Sequence, residues 1–159
     1  MSFDVAGIIT GVKTRTEQTN LLRELELLEN SLYQTSENDF DQSLHRSVSV
    51  ELSEAIRTQL QNEENSTDQG VRKALLEMIK NGVNNLKIIK IEISIIPSED
   101  MLKKIHKWIT ENSGNGKIID WAVDDNIIGG ARITSEGKYA DCTLNQVWTD
   151  AWQEIRSKI

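Results

Sequence analysis

The hydrophobic positions in the first half of the chain recur every three to four residues, the spacing of amphipathic helices. The clearest helix is predicted over 16–34, with an inward face of Leu21, Leu25, Leu28 and Leu32, widened by Leu22 and Leu27. A second helix is predicted from Phe40 or Leu44 to Gln61, with Leu44, Val48, Leu52, Ala55, Ile56 and Leu60 on one face. The polar segments 36–39 and 62–68 separate these helices from their neighbours.

A third helix is predicted to begin at a cap on Thr67 or Asp68 and to stop near Asn81-Gly82, where glycine supplies a left-handed cap. Its inward residues are Val71, Ala74, Leu75, Met78 and Ile79. Residues 1–84 are therefore predicted to form a small antiparallel helical bundle.

The segment 3–12 also has apolar residues at helical spacing, although Gly7 and Gly11 weaken it. Two interpretations stay open. It is either a first helix packed on the rest, or a docking arm that orders on a partner through Ile8 and Ile9.

In the second half the period changes to two, which is typical of half-buried strands. Ile89, Ile91, Ile93 and Ile95 alternate with polar residues over 87–96, and Pro97 ends this strand. Ser98 is predicted to cap a helix that runs to about Asn112 and buries Met101, Leu102, Ile105 and Ile109. A further alternating segment, 117–123, is predicted to lie parallel to 87–96, because a strand–helix–strand crossover favours that arrangement.

After these strands, Asp124-Asp125-Asn126 has the composition of a turn, because these side chains accept local backbone hydrogen bonds. An apolar run follows over 127–133, and the 135–138 turn leads to a short strand. Thr143 and Gln146 form a predicted capping box for a last helix with Leu144, Val147, Trp148, Ala151 and Ile155 inward. Residues 85–159 are thus predicted to form a β-α-β-β-β-α domain with a mixed sheet. The whole chain is predicted to be an α+β protein.

Charge and composition narrow the class of partner. The formal net charge is −7, with 14 acidic and 8 basic residues in 1–85 against 11 and 10 in 86–159. Such a balance disfavours nucleic acid and anionic lipid as main partners. The single cysteine excludes an intramolecular disulfide, and no apolar run approaches the roughly 20 residues that cross a bilayer. We therefore expect no direct membrane insertion.

Residues that carry chemistry are scarce. Gly129-Gly130 lacks the Gly-Lys-Ser/Thr and the following helix of a phosphate-binding loop, and His45 and His106 have no metal-ligand spacing. Cys142 is interpreted as a buried structural thiol. Asp124, Asp125 and Asp141 are interpreted as turn and cap carboxylates rather than as a metal cluster. We expect no catalytic residue, no cofactor and no metal, and hence no enzyme.

The four tryptophans are unusual in a chain poor in aromatic residues. Trp121 and Trp148 fit the predicted core. Trp108 and Trp152 fall off the inward faces, which leaves two interpretations, a partner-binding surface or a flanking core position.

The run 123–133 followed by Asp141-Cys142-Thr143-Leu144 resembles the C-terminal signature of the delta subunit of F-type ATP synthases, the oligomycin-sensitivity-conferring protein family. The residues that carry this resemblance are Asp124, Ile128, Gly129, Gly130, Asp141 and Thr143. Pro97-Ser98-Glu99 and Gly116-Lys117 match the order of the family's preceding elements. The chain departs from the family at Cys142 and Thr143, where Gly and Ser are usual, and its helical N-terminal part is shorter.

This resemblance implies a non-catalytic peripheral-stalk subunit that acts as a monomer within a hetero-oligomer. Its partners would be the alpha/beta catalytic head and the C-terminal helices of the b subunits. It would lie on the cytoplasmic side of the cell inner membrane, held there by its partners. Two alternatives stay open: the E subunit of archaeal or vacuolar-type ATPases, which usually opens with one long helix, and a small ligand-binding regulatory domain that uses Gly129-Gly130.

Overall fold

The computed structural model describes residues 3–33, 39–63 and 65–157. Among them the chain forms seven α-helices and one four-stranded mixed sheet near the C-terminus, the α+β fold that the sequence predicts. It divides into two compact units, one of residues 1–12 and 16–86 and the other of 13–15 and 87–159. The sequence places the boundary at 84/85, and it does not anticipate that 13–15 join the second unit.

The first unit is helical because its apolar residues keep the helical period. Its elements are α1 (Ala6–Gly11), α2 (Arg15–Ser31), α3 (Asp39–Arg46), α4 (Val50–Gln61) and α5 (Gln69–Asn84). The fully buried side chains include Leu25, Leu28, Ile56, Leu75 and Ile79. The predicted loop and cap over 36–38 and the end of the first predicted helix at Gln34 lie outside the described residues.

The predicted second helix is wrong in one respect, because it is two helices. Ser47, Val48 and Ser49 separate α3 from α4, and Ser49 has extended dihedral angles (φ −61°, ψ 151°). Serine is less favourable than alanine or leucine in a helix interior. The Ser49 hydroxyl does not cap α4 but donates to the Glu24 carboxylate of α2 at 2.8 Å. Val48 is consequently half-buried outside any helix.

The end of α5 also differs from its prediction. Asp68 caps this helix through its Oδ1, which accepts from the Val71 N–H at 3.0 Å. The helix continues past Gly82 to Asn84, so this glycine is not the left-handed cap that the sequence predicts. It provides room for Ile9 instead, because a Cβ at position 82 would overlap that side chain. The predicted inward Met78 is exposed on this helix, as Leu27 is on α2.

The buried polar residue Arg72 joins α3 to α5. Its guanidinium lies 4.5 Å from the centroid of the Phe40 ring and 3.2 Å from the Asp41 carboxylate. Its Nε donates to the Ser66 carbonyl oxygen at 2.9 Å. A buried charge is tolerated when it is paired and hydrogen-bonded in this way.

The second unit follows the predicted order. Its elements are β1 (Lys87–Ile93), α6 (Glu99–Ser113), β2 (Lys117–Val123), β3 (Gly130–Ser135), β4 (Lys138–Thr143) and α7 (Leu144–Ser157). The strand order is β2-β1-β3-β4, with β1 and β2 parallel and the other pairs antiparallel. The strands β1, β2 and β4 therefore run in one direction, and their last residues lie at the same end of the sheet, which we call the carboxyl end.

One face of this sheet packs against α6. The buried cluster contains Ile89, Ile91, Ile93, Ile109 and Ile119, and the residues packed against it are Leu102, Ile105, Trp121, Ala131 and Ile133. The Ser98 side chain caps α6 as predicted, accepting from the Met101 N–H at 3.2 Å.

Strand β1 is shorter than predicted, because it ends at Ile93 rather than at Ile96. The Asp124 N–H donates to the Ile93 carbonyl oxygen at 2.9 Å, where the paired part of the strand ends. Ile95, predicted to face inward, is 59% exposed, and Ile96 is 76% exposed.

A short segment of the chain, 13–15, covers the outer edge of β2. Thr14 forms a parallel bridge with Ile119, and the Ile119 N–H donates to the Lys13 carbonyl oxygen at 2.8 Å. The backbone of β2 thus has hydrogen-bond partners on both sides at this position.

Candidate functional site

The residues of the resemblance meet at the carboxyl end of the sheet. Asp124, Ile128 and Gly129 lie in the loop between β2 and β3, Gly130 begins β3, and Asp141 and Thr143 lie on β4. Asp124 closes a local turn, because its Oδ1 accepts from the N–H and the side-chain amide of Asn126 at 2.9 and 2.8 Å. Asn145 then ties this loop to α7: its Oδ1 accepts from the Ile128 N–H at 3.0 Å, and its Nδ2 donates to the Asn126 carbonyl oxygen at 3.1 Å. The predicted turn is confirmed, and its side-chain bonds fix the loop against the first turn of the last helix.

Arg132 on β3 is the electrostatic centre of this region. Glu92, Arg132 and Asp141 stand opposite one another on three adjacent strands. The guanidinium lies 3.6 Å from the Glu92 carboxylate, 3.5 Å from that of Asp141 and 2.6 Å from that of Asp124. One half-buried cation therefore links β1, β4 and the β2–β3 loop.

The carboxyls of Asp124 and Asp141 both have pKa values below the ordinary range. The pKa of Asp124 is lowered first by the Asn126 backbone N–H, then by the Asn126 amide and by Arg132. The pKa of Asp141 is lowered first by the Thr143 hydroxyl and then by the Thr143 N–H. The interpretation of these carboxylates as turn and cap groups fits their bonds, since each accepts from the backbone two residues ahead.

Thr143 begins the last helix, although not through the full capping box that the sequence predicts. Its buried hydroxyl accepts from the Gln146 N–H at 3.3 Å and donates to Asp141 at 2.6 Å. The second bond of a capping box, in which the Gln146 side chain would accept from the Thr143 N–H, is not among the hydrogen bonds of the described residues. The Gln146 amide bonds Asp150 at 2.9 Å, and Asp141 instead accepts from the Thr143 N–H at 3.0 Å.

The two glycines bring backbones close together. Gly130 has φ +83°, and a Cβ there would lie 3.0 Å from the Thr143 Cα and closer still to the Cys142 carbonyl oxygen. A Cβ at Gly129 would lie 2.9 Å from the Leu144 Cδ1, and the Gly129 carbonyl oxygen accepts from the Leu144 N–H at 2.9 Å. The Gly-Gly pair is thus accounted for by packing between the start of β3, the end of β4 and α7.

We expect Asp124→Asn to lower stability at neutral pH and to make the loss of stability in acid shallower. Because the folded pKa values of Asp124 and Asp141 are lowered, their contribution is complete above the ordinary Asp value of 3.8 and is lost as the pH falls through the lower folded values. The measurement is urea unfolding between about pH 2 and pH 7. Asp125→Asn is the control, because that neighbouring carboxylate makes no side-chain bond within the described residues. Equal acid profiles for the two variants would contradict the assignment.

The apolar face of α7 is exposed, which contradicts the inward face predicted for this helix. Leu144 is 57% exposed, Val147 61% and Trp148 74%, and Ala151 is exposed as well. The side chain of Ile155, also predicted to face inward, lies outside the part of the chain that the structure describes. Trp148, predicted in the core, is therefore a surface residue, while Trp121 is half-buried against the core cluster.

The four residues proposed for partner binding lie in separate places. Trp152 is on the edge of the exposed α7 face and is 51% exposed, whereas Trp108 lies on α6 and is 60% exposed. Ile8 and Ile9 are half-buried on α1, where Ile9 packs against Gly82. The structure thus brings Trp152 together with Leu144, Val147 and Trp148.

Other chemistry-bearing side chains do not form a centre. Cys142 is exposed, so its prediction as a buried thiol is wrong: it lies on the edge strand β4. The His106 Nε2 lies 3.1 Å from the Lys117 carbonyl oxygen, and His45 is in the last turn of α3. Within the described ranges, no three or more His, Cys, Asp or Glu side chains are placed to hold a metal ion. Likewise, no helix that the structure describes has the length and hydropathy to span a bilayer.

Comparison with known proteins does not assign a family. The sequence matches no protein-family model and no curated protein. The resemblance to the delta family therefore stays a hypothesis, which rests on the motif residues and on their arrangement at the start of α7.

Proposed function

We propose that this protein is a non-catalytic docking subunit, the peripheral-stalk subunit of a rotary F-type ATP synthase. In that role it links the alpha/beta catalytic head to the b-subunit stalk helices and resists rotor torque. Its partners hold it at the cytoplasmic side of the membrane. The observation that carries the proposal is the exposed apolar face of α7, with Leu144, Val147, Trp148 and Trp152 on one side of the helix.

The spacing on α7 favours a helical partner. Leu144, Trp148 and Ala151 are separated by four and three residues, the spacing by which one helix packs along another. Val147 and Trp152 flank that line and widen it. Tryptophans are strong interface anchors because they bury a large apolar area with few rotatable bonds.

The bonds around the motif residues support a role of this end of the domain in transmitting force. Arg132, Asp141 and Thr143 connect β1, β3 and β4 to the first turn of α7. Side chains locked by packing and by several hydrogen bonds hold a site rigid. A force applied to the docked helix is therefore transmitted into the sheet rather than absorbed by a flexible joint.

The two alternative functions receive less support. A ligand-binding role for Gly129-Gly130 lacks a free backbone cradle, because Gly130 packs against Cys142 and Gly129 packs against Leu144. The vacuolar-type E subunit usually opens with one long helix. The helices described before β1 are instead separate, and the extended residue Ser49 divides α3 from α4.

The test is titration calorimetry of the full chain with a synthetic peptide of the C-terminal helical segment of the b subunit from the same source. We expect binding, and we expect Trp148→Ala to weaken it by about 30-fold or more, the effect of removing an interface anchor worth about 2 kcal/mol. Trp152→Ala is expected to weaken it less, because Trp152 lies at the edge of the face.

The matched control is Trp108→Ala, which removes an equally large exposed side chain from α6 instead. Its affinity is expected to stay within about twofold of the parent, because a contact outside the interface contributes little. Circular dichroism of each variant establishes that it is folded. If the parent chain does not bind the peptide, the stalk assignment is overturned. If only Trp108→Ala loses affinity for the peptide, the assignment of the binding site to α7 is overturned.

A further inference from the structure

The exposed apolar surface of the second unit is larger than the face of α7. Ten large hydrophobic side chains among its described residues are exposed, and eight of them lie on α7 or at the carboxyl end of the sheet. The four at the carboxyl end are Ile95, Ile96, Val123 and Ile128, with exposures of 59%, 76%, 41% and 79%. Ile96 and Ile128 are each more exposed than Trp148, the most exposed of the large α7 side chains.

The strand topology places these four residues together. Val123 ends β2, Ile95 and Ile96 follow the end of β1, and Ile128 precedes the start of β3. The register pairs Ile93 with both Val123 and Ala131, so these chain ends lie side by side. The α7 face joins them at Leu144, which packs on Gly129 beside Ile128. The exposed apolar residues of the carboxyl end and those of α7 therefore adjoin one another at Ile128 and Leu144, and we call them together the apolar surface.

The charges of the second unit are separated along the strands. Lysines occupy the first positions of β1, β2 and β4, at Lys87, Lys117 and Lys138. Carboxylates surround the opposite, carboxyl end, at Glu92, Glu99, Asp100, Asp124, Asp125 and Asp141. Arg132 lies among Glu92, Asp124 and Asp141. The exposed Glu99 and Asp100 pair with Lys103 and Lys104 one turn along α6, whereas Asp125 makes no side-chain bond among the described residues. Six carboxylates thus stand against three cations on the rim of the apolar surface. On α7, Asp150 and Glu154 add two further carboxylates against Arg156.

We propose that the carboxyl end and α7 together dock a basic amphipathic helix of a partner protein, an inference that rests on the proposed function. The apolar residues of the partner helix pack along the line of Leu144, Trp148 and Ala151. Ile128 extends this contact surface across the end of the sheet. The acidic rim selects a helix whose flanking positions carry Lys or Arg, because complementary potentials favour the right partner and repel an acidic one.

The probes are two synthetic amphipathic helices with identical leucine positions, one with lysine and the other with glutamate at the flanking positions. Binding to the full chain is followed by tryptophan fluorescence at low and high salt. We expect the lysine peptide to bind at least about tenfold more tightly than the glutamate peptide at low salt. The difference should shrink as salt screens the rim charges.

Matched double variants locate the charge effect. Glu99→Gln with Asp125→Asn neutralises two rim carboxylates, and we expect it to weaken binding of the lysine peptide about fivefold or more. Glu111→Gln with Glu136→Gln neutralises two carboxylates at the other end of the strands and should leave the affinity unchanged. Glu99 and Glu111 are a close match, since both are exposed on α6 and each pairs with a lysine four residues away.

Equal affinities of the two peptides, failure of both to bind, or equal losses in the two double variants would each overturn the inference. If the b-subunit peptide binds through Trp148 while the charge effects are absent, the proposed function stands and only the basic character of the partner is excluded. If the lysine peptide binds selectively while the b-subunit peptide does not, the docking surface stands and the stalk assignment falls.

Discussion

Replacing Gly130 with alanine is expected to lower the free energy of unfolding of the second unit by about 3 kcal/mol or more. A left-handed backbone costs a residue with a Cβ about 1–2 kcal/mol, and Gly130 has φ +83°. Forcing atoms into a packed region costs about a further 1–3 kcal/mol. The added Cβ would collide with the Cys142 carbonyl and the Thr143 Cα, which are backbone atoms and cannot rotate away.

The matched control is Gly137→Ala in the hairpin turn, where φ is +76° and no atom lies within 4 Å of an added Cβ. This variant carries the dihedral cost alone, about 1–2 kcal/mol. The difference between the two variants therefore measures the backbone collision. Urea unfolding followed by tryptophan fluorescence reports on the second unit specifically, because all four tryptophans lie in 87–159. Equal destabilisation of the two variants would contradict the close approach at Gly130.

Ile119→Ala is expected to destabilise the second unit by about 3 kcal/mol, the typical cost of truncating a large core side chain to alanine. Ile119 is 1% exposed and lies in the core cluster between the sheet and α6. Its truncation removes buried apolar area and leaves a cavity that neighbouring side chains fill only in part.

The control for this prediction is Ile128→Ala, which removes the same atoms from a side chain that is 79% exposed. Its unfolding free energy should change by less than about 0.5 kcal/mol, although its affinity for a helical partner should fall. The same fluorescence-monitored unfolding compares the two variants. A loss of stability in Ile128→Ala as large as in Ile119→Ala would show that Ile128 is buried in solution.

The strands of the second unit were predictable because side chains that are alternately buried and exposed require alternating apolar and polar residues in the sequence. Ile89, Ile91 and Ile93 are buried in turn on β1, and the crossover through α6 leaves a parallel pair. The end of this strand was not predictable from the period, since Ile95 continues the alternation after pairing has stopped. Hydrogen bonding between distant segments ends the strand, and a local pattern carries no record of it.

The division between α3 and α4 is not visible in the hydrophobic pattern for a related reason. Val48 continues the helical spacing across the break, so periodicity alone joins the two helices. Ser49 is the available signal, because serine is often the residue just before a helix, although its side chain makes no capping bond here.

The site was predictable in its residues but not in its arrangement. The motif positions Asp124, Gly130 and Thr143 were identified from order and spacing, whereas Arg132 was not singled out. Its carboxylate partners come from three separate segments, at 92, 124 and 141, which only the register brings together. Similarly, the amphipathic pattern of α7 predicts that an apolar face exists, but the pattern is the same whether a core or a partner covers it.

The bridge between Thr14 and Ile119 determines how this protein can be dissected. A fragment that begins at Lys87 would lack 13–15, and the Ile119 N–H would lose its acceptor on Lys13. The open edge of β2 would then be a template for strand addition and aggregation between fragments. An isolated second unit should therefore be produced with residues 13–15 joined to it by a linker, so that the strand edge stays covered.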